Sequence, residues 1–217
     1  MAALALALPA LAQATIVGAA RTPDGFGWWL VDSSGNVYTY GDAHYYGGAG
    51  GTKLGAPIVG IAASPDGDGY WLVGADGGLF NFNAPFDGSL GGKTLNAPIV
   101  GMAATSSRAG YWMVGSDGGV FNFGAPFDGS LGSDKLGAPI AGMTATPDGY
   151  LLVGQDGGVF NFDTPFEGSA VGELGAAPAV AILSSADGKG YLVYLQSRVI
   201  RRSPRPRPVN AVAAGLT

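Results

Sequence analysis

Short apolar runs, each closed by a turn signal, recur along this chain at a pitch of about 41 residues. In one copy Ile58–Ala63 is apolar but small, a Ser-Pro-Asp-Gly turn follows at Ser64–Gly67, and Tyr70-Trp71-Leu72-Val73 makes a second run. Asp76-Gly77-Gly78 reads as a tight hairpin needing positive φ, and Leu79-Phe80-Asn81-Phe82 as a third strand. A short fourth strand is expected around Phe86 to Leu90. Successive strand residues face opposite sides, so Tyr70 and Leu72 share one face and Trp71 and Val73 the other. Both faces are apolar, as a sheet held between two neighbouring sheets requires.

The same text begins at Ile16, Ile58, Ile99, Ile140 and Ala179, with Leu-Gly/Asn-Ala-Pro linkers such as Leu54–Pro57 and Leu95–Pro98 between copies. Three or four antiparallel strands in each such unit is the arithmetic of propeller blades. The fold class expected is all-β: a β-propeller of about 41-residue blades, four complete repeats plus a partial fifth. A β-solenoid or other β-repeat stack is the alternative. The small first strand suits the crowded centre of a propeller and the aromatic third strand its wider periphery. The repeats are 16–57, 58–98, 99–139 and 140–178, with a partial one at 179–197. Together they make a domain over 15–197.

The flanks read differently. Residues 1–14 are an uncharged apolar run ending Ala12-Gln13-Ala14, which reads as a signal-peptide segment with a small-x-small cleavage site. It is too short to span a bilayer. The missing basic n-region points to a start assigned late. Residues 198–217 carry five arginines and no acid, whereas residues 1–197 carry six Lys/Arg against all sixteen acids, a balance of −10. The tail reads as basic, Pro/Arg-rich and disordered. It stands where blade five should continue, the pattern that an out-of-frame or truncated reading leaves. A body so acidic repels nucleic acid. With no cysteine and a single histidine, thiolate chemistry and His-cluster metal sites are excluded.

The pattern Gly-Tyr-Trp-Leu/Met-Val-x-x-Asp-Gly-Gly-Val/Leu-Phe-x-Phe-x-Ala-Pro-Phe-x-Gly-Ser, at Gly69–Ser89 and Gly110–Ser130, resembles a repeat of exported proteins of high-GC Gram-positive bacteria. The resemblance covers about residues 16–195. It implies a propeller-like fold and a secreted or cell-surface setting, with a targeting or binding role beside cell-wall hydrolases. It carries over no catalytic residue.

Candidate chemistry is sparse. Asp76, Asp117 and Asp156 recur in register but read as turn formers, since a calcium cage needs more oxygens than one Asp beside two glycines supplies. Asp66 and Asp68 make a slightly richer oxygen cluster. Trp28, Trp29, Tyr70, Trp71, Tyr111 and Trp112 read as inter-blade core. The first repeat diverges most: His44 replaces the proline of Pro85, Pro126 and Pro165. Asp42, His44, Tyr45 and Tyr46 are therefore the candidate ligand-binding residues. No catalytic residue, metal site or cofactor is assigned. The expected function is non-catalytic binding of cell-wall or extracellular polymer, or of a protein partner, with self-association through open blade edges. A secreted propeller hydrolase or lyase acting on polysaccharide, or a structural fragment of a larger cell-wall enzyme, is the alternative.

Overall fold

The computed structural model describes residues 15–106, 110–172, 177–185, 189–195 and the backbone of 199–202. The proposed leader 1–14, the tail beyond 202 and the loop residues Ser107, Arg108 and Asp187 lie outside that set. Fifteen strands form five separate antiparallel sheets of three, each in chain order. The first sheet is β1 (Ile16–Arg21), β2 (Trp28–Asp32) and β3 (Val37–Tyr40); the second is β4 (Ile58–Ala63), β5 (Tyr70–Gly74) and β6 (Leu79–Phe82). The third is β7 (Ile99–Ala104), β8 (Tyr111–Gly115) and β9 (Val120–Phe123), and the fourth β10 (Ile140–Ala145), β11 (Tyr150–Gly154) and β12 (Val159–Phe162). The fifth is β13 (Ala179–Ser184), β14 (Tyr191–Leu195) and β15 (Val199–Arg202).

The sheets are arranged as blades. First strands of successive sheets pack on one another, β1 on β4, β4 on β7, β7 on β10 and β10 on β13. All five line one central cavity of about 370 Å³. This is a β-propeller, with sheets set around an axis instead of stacked as in a solenoid. Small residues let the inner strands approach: a Cβ on Gly18 would lie 3.1 Å from the Ile61 amide nitrogen and 3.2 Å from Gly60 Cα. Each inner strand also carries a bulge one residue before that point, between Ile58 and Gly60 in the second blade and at equivalent places in the others. A bulge bends the strand and sharpens its twist.

Middle strands are the core. Every residue of β5, β8 and β11 is buried, as expected for a sheet covered on both faces. Trp29 and Val31 meet Tyr70 and Leu72 of the next blade; Trp71 and Val73 meet Tyr111 and Met113. Trp112 and Val114 meet Tyr150 and Leu152, and Leu151 and Val153 meet Tyr191 and Val193. Burial of side chains this size stabilises by about 1.5–3 kcal/mol each, so each joint between blades is a small hydrophobic core.

Two expectations are corrected. The stretch from Phe86 to Leu90 is not a strand: Pro85 and the φ of +134° at Gly88 turn the chain out of the sheet, and Phe86 is exposed. Each blade has three strands. The repeat region also does not end at 197. Val199–Arg202 pairs with β14, Tyr194 opposite Val199 and Tyr191 opposite Arg202, which places the start of the expected disordered tail inside the fifth sheet. The reason is local: β14 has an open edge, and Val199-Ile200 is β-branched and returns along it in the hairpin order of the other blades.

Candidate functional site

The loops that follow the third strands of blades one to four carry much of the polar chemistry of the described residues, and the blades themselves hold those loops. In blade two, Asn81 Nδ2 donates to the Ala84 carbonyl at 2.9 Å, and Trp71 Nε1 donates to the Pro85 carbonyl at 2.6 Å. The next blade takes hold of the other side. Tyr111 Oη donates to the Gly88 carbonyl at 2.6 Å and accepts from the Asp87 amide at 3.1 Å. The same tyrosine latch joins Tyr70 to Gly47 and Tyr46, and Tyr191 to Gly168 and Glu167; Tyr150 donates to Gly129. The indole bond recurs at Trp29 to His44 and Trp112 to Pro126. Burial, the dominant cause, pushes the phenols of Tyr70 and Tyr150 up to about 12, so they stay neutral and keep their donating hydrogen.

The Tyr-Trp dipeptide is thus buried as inter-blade core, and also has a second task. Its two polar tips pin a loop from opposite sides. Between the pins sits an aromatic ring left about half in solvent: Tyr45, Phe86, Phe127 and Phe166, each between 52% and 58% exposed. These phenylalanines were not among the candidate residues read from sequence. Their signal was present in the recurring Ala/Thr-Pro-Phe, which the expected fourth strand absorbed.

Three of the four candidate residues share one cleft. Asp42, His44 and Tyr46 line a cavity of about 270 Å³ between blades one and two, together with Thr22, Asp24, Trp29 and Asp66. The fourth, Tyr45, does not line it and instead joins the row of exposed rings. His44 and Tyr46 stand edge to face at 4.8 Å, and Tyr46 Oη donates to the Gly67 carbonyl at 3.1 Å, which ties the loop to the next blade's turn. Thr22 Oγ1 donates to Asp24 Oδ1 at 2.6 Å and lies 3.5 Å from Asp42 Oδ1.

The carboxyls of Asp24 and Asp42 are shifted in opposite directions. The Thr22 hydroxyl and then the Phe26 amide hold Asp24 below the usual carboxylate range. Desolvation and then the Asp24 carboxylate push Asp42 up. Asp66 reaches this cleft from the facing turn, whereas Asp68 does not line it. Among the described residues no three acids or histidines converge closely enough to hold a metal ion. The recurring Asp76, Asp117 and Asp156 are turn formers, each accepting from a glycine amide two residues on at 2.9–3.0 Å.

A related cleft of about 180 Å³ lies between blades four and five, lined by Thr146, Leu151, Pro165, Glu167, Lys189 and Tyr191. At the position of Tyr46 the later blades carry acids: Asp87, Asp128 and Glu167. Burial and then Asp163 raise Asp128. The central cavity is different in kind. It is lined by glycine, alanine, valine, methionine and other uncharged residues of the first strands, none of which titrates.

No protein-family model matches the chain, and neither does any curated protein sequence. Solved structures do. The β-propeller domain of Cps50 (Swd1) from Myceliophteria thermophila superposes with a TM-score of 0.59 at 13% identity, over 87% of this chain and 69% of that one. At that identity the likeness is one of fold. Among the described residues no helix is long and apolar enough to cross a membrane.

Proposed function

We propose that this chain is a non-catalytic repeat protein that acts outside the cytoplasm, holding cell-wall or extracellular polysaccharide on its loop face. The observation that carries the reading is the pinned aromatic. A ring left half in water on a loop tied at Pro85 by one blade and at Asp87 and Gly88 by the next is a preorganised platform, and binding to it costs little ordering entropy. Repeated at Tyr45, Phe86, Phe127 and Phe166, it offers a polymer of ring-shaped units a series of apolar faces at blade pitch. The apolar face of a sugar ring packs on such a surface, and several weak contacts on one scaffold multiply. The adjacent Asp87, Asp128 and Glu167 supply acceptors for hydroxyl groups. The export reading rests on the apolar leader and on the resemblance of Gly69–Ser89 to repeats of exported proteins.

The test is retention on insoluble wall polysaccharide and on a panel of soluble glycans. The chain should be retained, and Phe86→Ala, Phe127→Ala and Phe166→Ala should weaken retention step by step, the triple variant losing it. A chain that binds no glycan, or a triple variant that binds as well as wild type, overturns the proposal. Asp24, Asp42 and Asp66, which line one cleft with His44, support a second reading, a hydrolase acting on the same class of polymer. Turnover abolished by Asp42→Asn with retention unchanged would favour it.

A further inference from the structure

At the fourth joint between blades one side chain departs from the pattern of the other three. In blades one, two and three the second residue of the middle strand is tryptophan, and its indole is used twice. Nε1 of Trp29, Trp71 and Trp112 donates to the loop carbonyl of His44, Pro85 and Pro126 at 2.6–2.7 Å. Each indole ring lies 5.1–5.5 Å from the tyrosine of the next blade. In blade four the same position is Leu151, which pairs with Asn161 as Trp71 pairs with Asn81. Leucine has no hydrogen to donate, so the Pro165 carbonyl lacks the indole bond that its three counterparts accept. The cleft of about 180 Å³ between blades four and five opens at this place. Leu151, Pro165 and Tyr191 all line it: the position of the missing indole, its acceptor and its ring neighbour. At the first joint, where the indole is present, Trp29 lines the cleft and Tyr70 behind it does not.

We propose that the cleft between blades four and five binds a small planar heteroaromatic compound with a ring N–H, of which indole is the simplest. The occupant follows from the three filled examples in the same molecule, where a ring of this kind packs on the next blade's tyrosine and donates to the loop carbonyl. The size agrees, since an apolar cavity of roughly 150 Å³ admits benzene and this cleft has about 180 Å³. Leu151 and Tyr191 are buried residues, so the floor is apolar, and a hydrogen bond made beside it is stronger than one made in water. Glu167 and Lys189 also line the cleft and their charges are opposite, which suits a neutral ring. Occupancy has a consequence for the loop. Asn161 Nδ2 donates to the Thr164 carbonyl at 2.8 Å, and Tyr191 holds Glu167 and Gly168. The bound ring supplies the pin that blade four lacks at Pro165. Phe166 does not line the cleft, so this site and polysaccharide retention stand or fall separately.

The test uses the full chain with indole itself as the probe, followed by isothermal titration calorimetry, and 1-methylindole as the same ring without its N–H. Indole should bind at one site per chain. The methylated ring should bind about tenfold more weakly, the worth of one hydrogen bond made away from water. Leu151→Trp builds the missing indole into the chain and should abolish the binding. Trp112→Leu empties the corresponding place between blades three and four and should add a second site. Circular dichroism checks that each variant folds; if Leu151→Trp does not, the two probes on the wild-type chain and the stoichiometry of Trp112→Leu decide. A wild type that takes up no indole at millimolar concentration overturns the proposal, as do equal affinities for the two probes. So does a folded Leu151→Trp that binds indole as wild type does, or a folded Trp112→Leu that gains no site.

Discussion

The tyrosine latch makes a quantitative prediction at Tyr111→Phe. The substitution keeps the ring, its packing against Trp71 at 5.3 Å and its contact with Phe123 at 5.5 Å, and removes one oxygen. That oxygen serves two backbone groups of the preceding blade, the Gly88 carbonyl at 2.6 Å and the Asp87 amide at 3.1 Å. A neutral hydrogen bond contributes about 1 kcal/mol net, and a buried group left without a partner costs about 1–3 kcal/mol. The latch is partly buried, so water replaces some of what is lost. An overall destabilisation of about 2 kcal/mol is expected. Equilibrium urea unfolding should show a lower midpoint with an unchanged slope, because the surface exposed on unfolding is the same. Tyr45→Phe is the control: that ring is exposed, and its loss of an oxygen should change stability by less than about 0.5 kcal/mol. The reasoning fails if Tyr111→Phe unfolds at the wild-type midpoint, or if the control is destabilised equally.

Three further outcomes follow from the same geometry. Gly88→Ala places a Cβ 2.6 Å from Phe123 Cδ1 at a φ of +134°, and thermal unfolding should show a loss of about 2–4 kcal/mol from backbone strain and overpacking together. Tyr70 and Tyr150 ionise near 12 when folded against 10.0 in a free side chain, so the folded chain keeps protons that the unfolded chain surrenders. Stability should hold up to about pH 10 and fall as pH rises towards 12; a flat denaturation midpoint across that window would refute the assignment. Burial alone would raise Asp32, but bonds from the Asn36 side chain and amide, the Tyr38 hydroxyl and the Ser34 amide outweigh it and hold the carboxyl low. Its contribution should be complete above the free-carboxylate value of 3.8 and be lost as pH falls through the lower folded value, while Asp32→Asn should cost about 2 kcal/mol at neutral pH by urea titration.

The blade was legible because the same text is written four times in full and once in part. Ile58–Ala63 and Leu79–Phe82 were readable to the residue, and the apolarity of both sides of Tyr70–Val73 announced a sheet covered twice. Phe86 misled for a physical reason: an apolar residue between turn signals looks like a strand, and only the loop's anchors show it to be an exposed ring. Those anchors join Tyr111 to Gly88, 23 residues back and on a loop of the preceding blade, a pairing no reading of one strand can supply. The cleft was half legible. The divergence of blade one drew attention to Asp42, His44 and Tyr46. Asp24 and Asp66, which face them from two turns, are ordinary turn acids until the blades are set side by side. Val199-Ile200 lay hidden because arginine and proline dominate the text around it.

Among the described residues each blade packs chiefly on the blades before and after it, and such a chain behaves as a line of links. An interior link such as blade three is clamped from both directions by a latch and an apolar seam, whereas the first and fifth blades have one clamp among the described residues. Amide hydrogen exchange should therefore be slowest in β8 and fastest in β2 and β14, with opening that runs inward from either extremity. The endurance of such a molecule belongs to its seams, and a substitution in one of them divides the line at that place.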